Sequence, residues 1–140
     1  MKNLLIGFVM ISAFISCSHK LSPDYSWQNK RWTLIEMKEV PVQLSGSRRD
    51  AFIQFSPDEK KFTGNGGCNS INGLYEINPK KNEIGFSNII STKMSCADIS
   101  FENTFLETLD KVNRYEVSGN TILLKHDDVV LLIVQERPSY

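Results

Sequence analysis

The sequence lacks most of the patterns that identify catalytic and nucleic-acid-binding proteins. It has two histidines and three cysteines, with no Cys-x-x-Cys pair and no Gly-Lys-Ser/Thr run. Those two patterns are typical of zinc sites and of phosphate-binding loops. Sixteen basic residues balance sixteen acidic ones without any basic cluster, so nucleic acid is not an expected partner. No Ser/His/Asp or paired-carboxylate pattern stands out, and we expect no catalytic residue, no metal site and no cofactor.

A long apolar segment is also missing, and the run that comes nearest lies at the N-terminus. Residues 4–15 are apolar but shorter than the roughly 20 residues that span a bilayer, as in a secretory signal. The run ends in FISC at residues 14–17, which resembles a bacterial lipobox, although Phe14 stands where leucine is usual. We expect residues 1–16 to be a lipoprotein signal peptide and Cys17 to be lipidated. An ordinary secretory signal is the alternative.

This N-terminus predicts an exported protein that is anchored in the bacterial cell envelope by its lipid. Ser18, rather than aspartate, follows Cys17, which resembles an outer-membrane sorting signal. Without residues 1–16, 15 basic and 16 acidic residues remain, a net charge near −1. About 124 residues are enough for one domain with a sizeable core. We expect residues 17–30 to be the lipidated cysteine and a tether, residues 31–137 to be the domain, and the protein to be a monomer by default.

Alternating apolar residues predict about eight strands in the rest of the chain. The expected strands cover residues 31–40, 51–56, 61–63, 74–77, 84–92, 115–117, 121–125 and 129–134. The last is continuously apolar, which indicates a strand that is buried on both faces. The expected fold class is α+β, a single small domain with a mostly antiparallel sheet and one packed helix.

The predicted helix has a single apolar stripe. Its members recur at helical spacing: Phe101, Phe105, Leu106, Leu109 and Val112. Asp98 or Ser100 could cap its N-terminus. We expect its acidic residues to face water: Glu102, Glu107 and Asp110.

The segment GNGGCNSINGLY at residues 64–75 is the most specified turn of the chain. Glycine and asparagine tolerate positive φ, so this composition indicates a tight turn between strands. Asn69 and Asn72 are expected to satisfy the backbone of their own turn. Together with the STKMSC segment at residues 91–96, the turn forms our candidate binding loop, whose residues are Gly66, Gly67, Asn69, Asn72, Thr92 and Lys93.

Cys68 and Cys96 form an even pair once Cys17 is assigned to lipid. In an oxidising compartment such a pair favours a disulfide, which would close a loop of roughly thirty residues. Two free buried thiols are one alternative, and a catalytic or metal-binding pair with His126 is another.

Two further groups of residues have structural and functional interpretations. His126, Asp127 and Asp128 could bind a cation, but such a string is more often a solvated hairpin tip. The aromatic residues Trp27, Trp32 and Tyr75 could line a ligand surface, although aromatic residues on strands are more often part of a core.

The cysteine-containing segments resemble those of the META/HslJ-like domain family. The match includes the glycine-rich run at 64–75, the run STKMSC at 91–96, the helix entry ENTFLETL at 102–109 and the tail YEVSGNTILL at 115–124. The resemblance spans about residues 31–134. It implies a small mixed α/β domain, often found on secreted or lipid-anchored bacterial proteins. Members of the family are linked to heat shock, drug tolerance and, in parasites, virulence or motility. The family has no general catalytic activity and thus supplies no active-site residues.

Three functional hypotheses follow. The first is a non-enzymatic, lipid-anchored envelope protein that binds another envelope component, with a possible stress-related role. The second is a thiol-dependent enzyme or redox protein that uses Cys68 or Cys96. The third is a small-ligand carrier with a cavity lined by the sheet.

Overall fold

The structure is a computed structural model that describes residues 26–97 and 99–137. A 3-10 helix, Ser26–Asn29, precedes eight strands and one α-helix. The strands are β1 Arg31–Met37, β2 Phe52–Ser56, β3 Lys61–Asn65, β4 Ser70–Asn78, β5 Glu83–Ser91, β6 Arg114–Ser118, β7 Thr121–His126 and β8 Val129–Glu136, and helix α1 is Ser100–Lys111. The expected α+β class, with eight antiparallel strands and a single helix, is confirmed. The expected signal peptide (residues 1–16), Cys17 and the possible cap Asp98 lie outside the described residues.

The sheet closes into a barrel in which each strand pairs with the next and β8 returns to β1. The closing register includes Leu34 opposite Val134 and Met37 opposite Leu132. The β5–β6 seam is short, with Glu83 opposite Arg114. Helix α1 packs against β5, and its Phe105 side chain is fully buried. The helix therefore completes the core beside the shortest seam of the sheet.

Large apolar side chains fill the barrel interior. Those with no more than 2% exposure include Trp32, Leu34, Ile53, Phe55, Phe62, Ile71, Tyr75, Ile84, Ile122, Leu124, Leu132 and Val134. Burying one such side chain contributes about 1.5–3 kcal/mol, so the strands derive their stability mainly from this shared core. Within the described part of the chain, no helix is both long enough and apolar enough to cross a membrane.

The domain begins earlier than the sequence suggested. Trp27 is buried, and its ring packs edge-on against Phe55 at 5.2 Å between ring centroids. The Trp32 indole N–H donates to the Trp27 carbonyl oxygen at 2.7 Å. The expected tether boundary at residue 30 is therefore wrong, because the 3-10 helix belongs to the core.

Several expectations about individual strands also need correction. β4 begins at Ser70 rather than at residue 74, and β1 ends at Met37, before Pro41. β8 is not buried on both faces: Leu132 and Val134 point into the core, whereas Val129 is 47% exposed. A barrel has an inner and an outer face, so even a continuous apolar run leaves alternate side chains outside.

The start of α1 differs from the expected one. Ile99 occupies the N-cap position, and no side chain caps the helix there. Ser100 is the first helical residue, so it is not the cap. Glu102 was expected to face water, but its side chain is buried with 2% exposure.

Candidate functional site

A cleft of about 730 Å³ lies beside the N-terminal half of α1, and we call it the α1 cleft. Three segments line it: the β1–β2 loop, the glycine turn between β3 and β4, and the first turns of α1. The lining residues are Val40, Pro41, Val42, Gln43, Ser45, Arg49, Asp50, Ala51, Gly66, Gly67, Cys68, Ser100, Phe101, Glu102 and Thr104. The sequence interpretation found the glycine turn but not the β1–β2 loop.

Glu102 joins the helix to the glycine turn. Its Oε2 accepts the main-chain N–H of Asn69 at 2.7 Å and that of Cys68 at 3.4 Å. Its Oε1 accepts the side-chain amide of Asn69 at 2.9 Å. A buried carboxylate needs such donors, because an unpaired charge away from water is costly.

Asn69 extends this network to the segment that follows β5. Its side-chain Oδ1 accepts the Thr92 hydroxyl at 3.1 Å and the Met94 main-chain N–H at 2.7 Å. Asn69 itself is 1% exposed, whereas Thr92 and Met94 are exposed. The expectation that the Asn69 side chain satisfies the backbone of its own turn is therefore wrong, since its hydrogen bonds connect the turn to α1 and to the segment after β5.

Two glycines of the turn are required by their surroundings. A Cβ on Gly66 would lie 2.6 Å from Glu102 Cγ, so a side chain there would displace the carboxylate. Gly67 has a φ of +111°, where other residues are strained, and a Cβ would lie 3.1 Å from Phe101. The turn can approach α1 this closely because both positions lack a side chain.

A disulfide joins Cys68 and Cys96, with 6.3 Å between their Cα atoms. It connects the glycine turn to the segment between β5 and α1, in parallel with the Asn69 hydrogen bonds. Neither sulfur is a free thiol in this structure. His126 contacts the Lys111 carbonyl oxygen at 2.7 Å, at the C-terminal end of α1, so the two cysteines and His126 lie near opposite ends of the helix.

The β1–β2 loop is organised around Asp50. This carboxylate accepts the Ser45 N–H at 2.8 Å, the Ser45 hydroxyl at 2.6 Å and the Gly46 N–H at 2.9 Å. Burial raises the pKa of Asp50, but the hydrogen bonds from Ser45 and Gly46 and the nearby Arg137 outweigh it and leave the pKa below its usual value. The loop is therefore held in place by an ionised aspartate.

The candidate binding-loop residues separate into three groups. Gly66 and Gly67 line the α1 cleft. Asn69 is buried beneath it. Asn72 lies exposed on β4 opposite Ile90, while Thr92 and Lys93 are exposed in the segment after β5, and none of these three lines the cleft.

The aromatic residues that could line a ligand surface belong to the core instead: Trp27, Trp32 and Tyr75. Burial raises the pKa of Tyr75. His126 and Asp127 lie at the β7–β8 turn, where the Asp127 carboxylate accepts the Asn113 amide at 2.9 Å. Among residues 26–97 and 99–137, no group of three or more His, Cys, Asp or Glu residues is placed to hold a metal ion.

The spacing of residues along α1 indicates that Glu102 is buried. Residues 102, 105, 109 and 112 recur at intervals of three, four and three, which places Glu102 on the same face as the buried stripe. A polar residue in that register indicates a buried partner. The partner itself, Asn69, is 33 residues away, and no local pattern identifies it.

A family model of the META domain matches residues 25–138. An NMR structure of a protein from Burkholderia xenovorans is similar, with a TM-score of 0.68, 17% identity and 99% of each chain covered. A second NMR structure has a TM-score of 0.60 and 22% identity over 82% of this chain and 94% of the other. A crystal structure of a DUF4847 family protein from Bacteroides vulgatus has a TM-score of 0.57 and 17% identity over 81% and 96% of the two chains. Identities this low show a shared fold only. No curated protein matches the sequence significantly.

Proposed function

This chain belongs to the META domain family, and we propose that it is a non-enzymatic, lipid-anchored protein of the cell envelope whose domain binds a partner through the α1 cleft. The observation that carries the binding role is the construction of the cleft. Its volume lies in the range of about 300–1,000 Å³ that is usual for ligand sites. The disulfide and the Glu102–Asn69 hydrogen bonds hold two of its walls together. A preformed site of this kind loses little conformational entropy on binding.

The state of the two cysteines supports a non-enzymatic role. A disulfide removes the nucleophile that the thiol hypothesis requires. Within the described residues, His126 does not lie beside either cysteine but contacts the other end of α1. The carrier hypothesis has less support, because core side chains occupy the barrel interior and the α1 cleft lies outside it.

The position of the cleft suits an anchored protein. The 3-10 helix precedes β1 and the cleft-lining loop follows it, so the chain enters the domain at one end of β1 and the cleft lies towards the other. Eight residues lie between Cys17 and Ser26, and a chain of that length can span about 30 Å when extended. A lipid on Cys17 would hold the domain close to the membrane, the outer membrane in view of Ser18, and leave the cleft accessible.

The anchor is tested by growing cells that express the full chain with a labelled fatty acid. We expect label on the mature protein and its recovery in the membrane fraction, and the Cys17→Ser variant should show neither. Label that persists in Cys17→Ser, or its absence from the native chain, would exclude lipidation at this residue.

The binding role is tested in intact cells with a photo-crosslinking amino acid at Gln43, which is exposed and lines the cleft. A matched control carries the same group at Lys80, an exposed residue in the β4–β5 turn. We expect a discrete crosslinked product from position 43 that position 80 does not give. Identical product patterns from both positions would refute binding at the cleft. A stress-related role, which the family resemblance implies, predicts that a deletion strain survives heat or drug exposure less well than its parent.

A further inference from the structure

The polar groups that line the α1 cleft differ in whether they already have partners. Glu102 accepts hydrogen bonds from Asn69 and Cys68, and Asp50 accepts them from Ser45 and Gly46. Both carboxylates are therefore occupied by the protein itself. The exposed guanidinium of Arg49 forms no ion pair with any residue that the structure describes.

The charge around Arg49 is positive. Asp50 interacts electrostatically with Arg31 and Arg137, and Arg48 lies near enough to Arg31 to affect it. Arg31 and Arg137 thus both act on one aspartate, whose charge is already stabilised by hydrogen bonds. Arg49 is the arginine that lines the cleft, and its guanidinium can bind a carboxylate through two parallel hydrogen bonds.

The neighbouring part of the loop offers unpaired backbone groups. Within the described residues, neither the N–H nor the C=O groups of Val42 and Gln43 have a hydrogen-bond partner. Val42 is nevertheless half-buried. Because Gln43 is exposed, its backbone groups are accessible to an added extended strand, which pairs through main-chain hydrogen bonds.

The remaining wall is apolar. Val40, Val42 and Phe101 are partly buried and pack against the core, and each presents part of its surface to the cleft. An apolar surface next to an unpaired backbone and a free guanidinium suits a peptide better than a purely apolar or purely ionic ligand.

From this combination we propose that the α1 cleft binds an extended peptide segment of a partner protein, in which an aspartate or glutamate lies next to an apolar residue. The acidic side chain pairs with Arg49, the peptide backbone pairs with Val42 and Gln43, and the apolar side chain packs against Val40 and Phe101. This inference rests on the proposed partner-binding role of the cleft and specifies the chemistry of the partner.

The first test is selection from a displayed library of random heptapeptides against the disulfide-bonded protein. We expect the enriched sequences to share an acidic residue beside an apolar one. Substitution Arg49→Gln should weaken their binding by about tenfold or more, because a charge-assisted hydrogen bond is lost. The matched control Arg48→Gln changes the same charge in the same loop at a residue that does not line the cleft, and should weaken binding by about threefold at most.

A second pair of variants tests backbone pairing. Gln43→Pro removes the N–H of residue 43, whereas Gln43→Ala keeps it. We expect Gln43→Pro to weaken peptide binding and Gln43→Ala to leave it nearly unchanged. A titration with dodecanoate, which has a carboxylate and an apolar chain but no peptide backbone, provides the comparison. Binding of dodecanoate with no selected peptides would overturn the peptide proposal in favour of an acyl ligand.

The outcomes separate this inference from the proposed function. If a partner crosslinks at position 43 and the same crosslinking protein with Arg49→Gln captures it equally well, the cleft binds a partner and the peptide mode is wrong. If no partner crosslinks and no peptide is enriched, both proposals fail. Enriched peptides without an acidic residue would also refute the inference.

Discussion

The carboxylate of Glu102 accepts hydrogen bonds from both the main-chain N–H and the side-chain amide of Asn69, at 2.7 and 2.9 Å. The two residues are 33 positions apart, and each is at most 2% exposed. Their contact fixes the glycine turn against α1. It therefore holds two walls of the α1 cleft, the glycine turn and the helix, against each other.

The first prediction concerns the close approach of Gly66 to Glu102. Gly66→Ala should lower the free energy of unfolding by about 1–3 kcal/mol, because the new Cβ overlaps the Glu102 side chain. In a Glu102→Ala background the same substitution should cost much less, and a double-mutant cycle in urea would measure the difference. Gly85→Ala is the control, since its Cβ would meet no atom within 4 Å. Equal costs of Gly66→Ala in both backgrounds would contradict the contact.

The second prediction concerns the charge at Asn69. Asn69→Asp replaces the amide donor with a carboxylate facing Glu102, and it should destabilise the protein by about 3 kcal/mol or more. Asn72→Asp makes the same chemical change at an exposed position of β4 and should alter stability by about 0.5 kcal/mol or less. Urea unfolding of the two variants checks this. Similar losses in both would show that Asn69 is not part of a buried network.

The third prediction concerns the disulfide. In a Cys17→Ser background, alkylation followed by mass measurement should modify neither Cys68 nor Cys96 until the protein is reduced. Replacing both cysteines with serine should lower the free energy of unfolding by about 3–4 kcal/mol in the chain-entropy model, given their separation of 28 residues. Alkylation of both cysteines before reduction would instead reopen the thiol hypothesis.

The fourth prediction concerns pH and Asp50. The pKa of this carboxyl is lower in the folded protein than its ordinary value of 3.8. Its ionised form therefore contributes stability that is fully present above that value and is lost as the pH falls through the folded pKa. When the pH is lowered from 5 to about 2.5, the free energy of unfolding should fall more for the native chain than for Asp50→Asn. Asp58→Asn, a change at an exposed residue, is the control. An equal fall in the free energy of unfolding of the native chain and of Asp50→Asn would show that the ionisation of Asp50 does not stabilise the fold.

Local sequence patterns predicted which helices and strands exist better than they predicted the residues at which these elements begin and end. The apolar stripe of α1 was visible in Phe105 and Leu109, and alternation revealed most of the strands. The sequence pattern places Trp27 in the tether, because a 3-10 helix of four residues has no periodicity to detect. The expectation that β8 is buried on both faces is wrong, because six consecutive apolar residues also fit a strand whose outer face is apolar but exposed.

The family, the α+β class and the pairing of Cys68 with Cys96 could all be predicted from the sequence, since they depend on motifs, spacing and order along the chain. Tertiary structure decided that the sheet closes through β1 and β8, that Glu102 turns inward to Asn69, and that the β1–β2 loop meets the glycine turn beside α1. Each of these relationships joins residues far apart in sequence. Their formation depends on long-range packing and on the need to pair buried polar groups, and neither leaves a periodic signal in the chain.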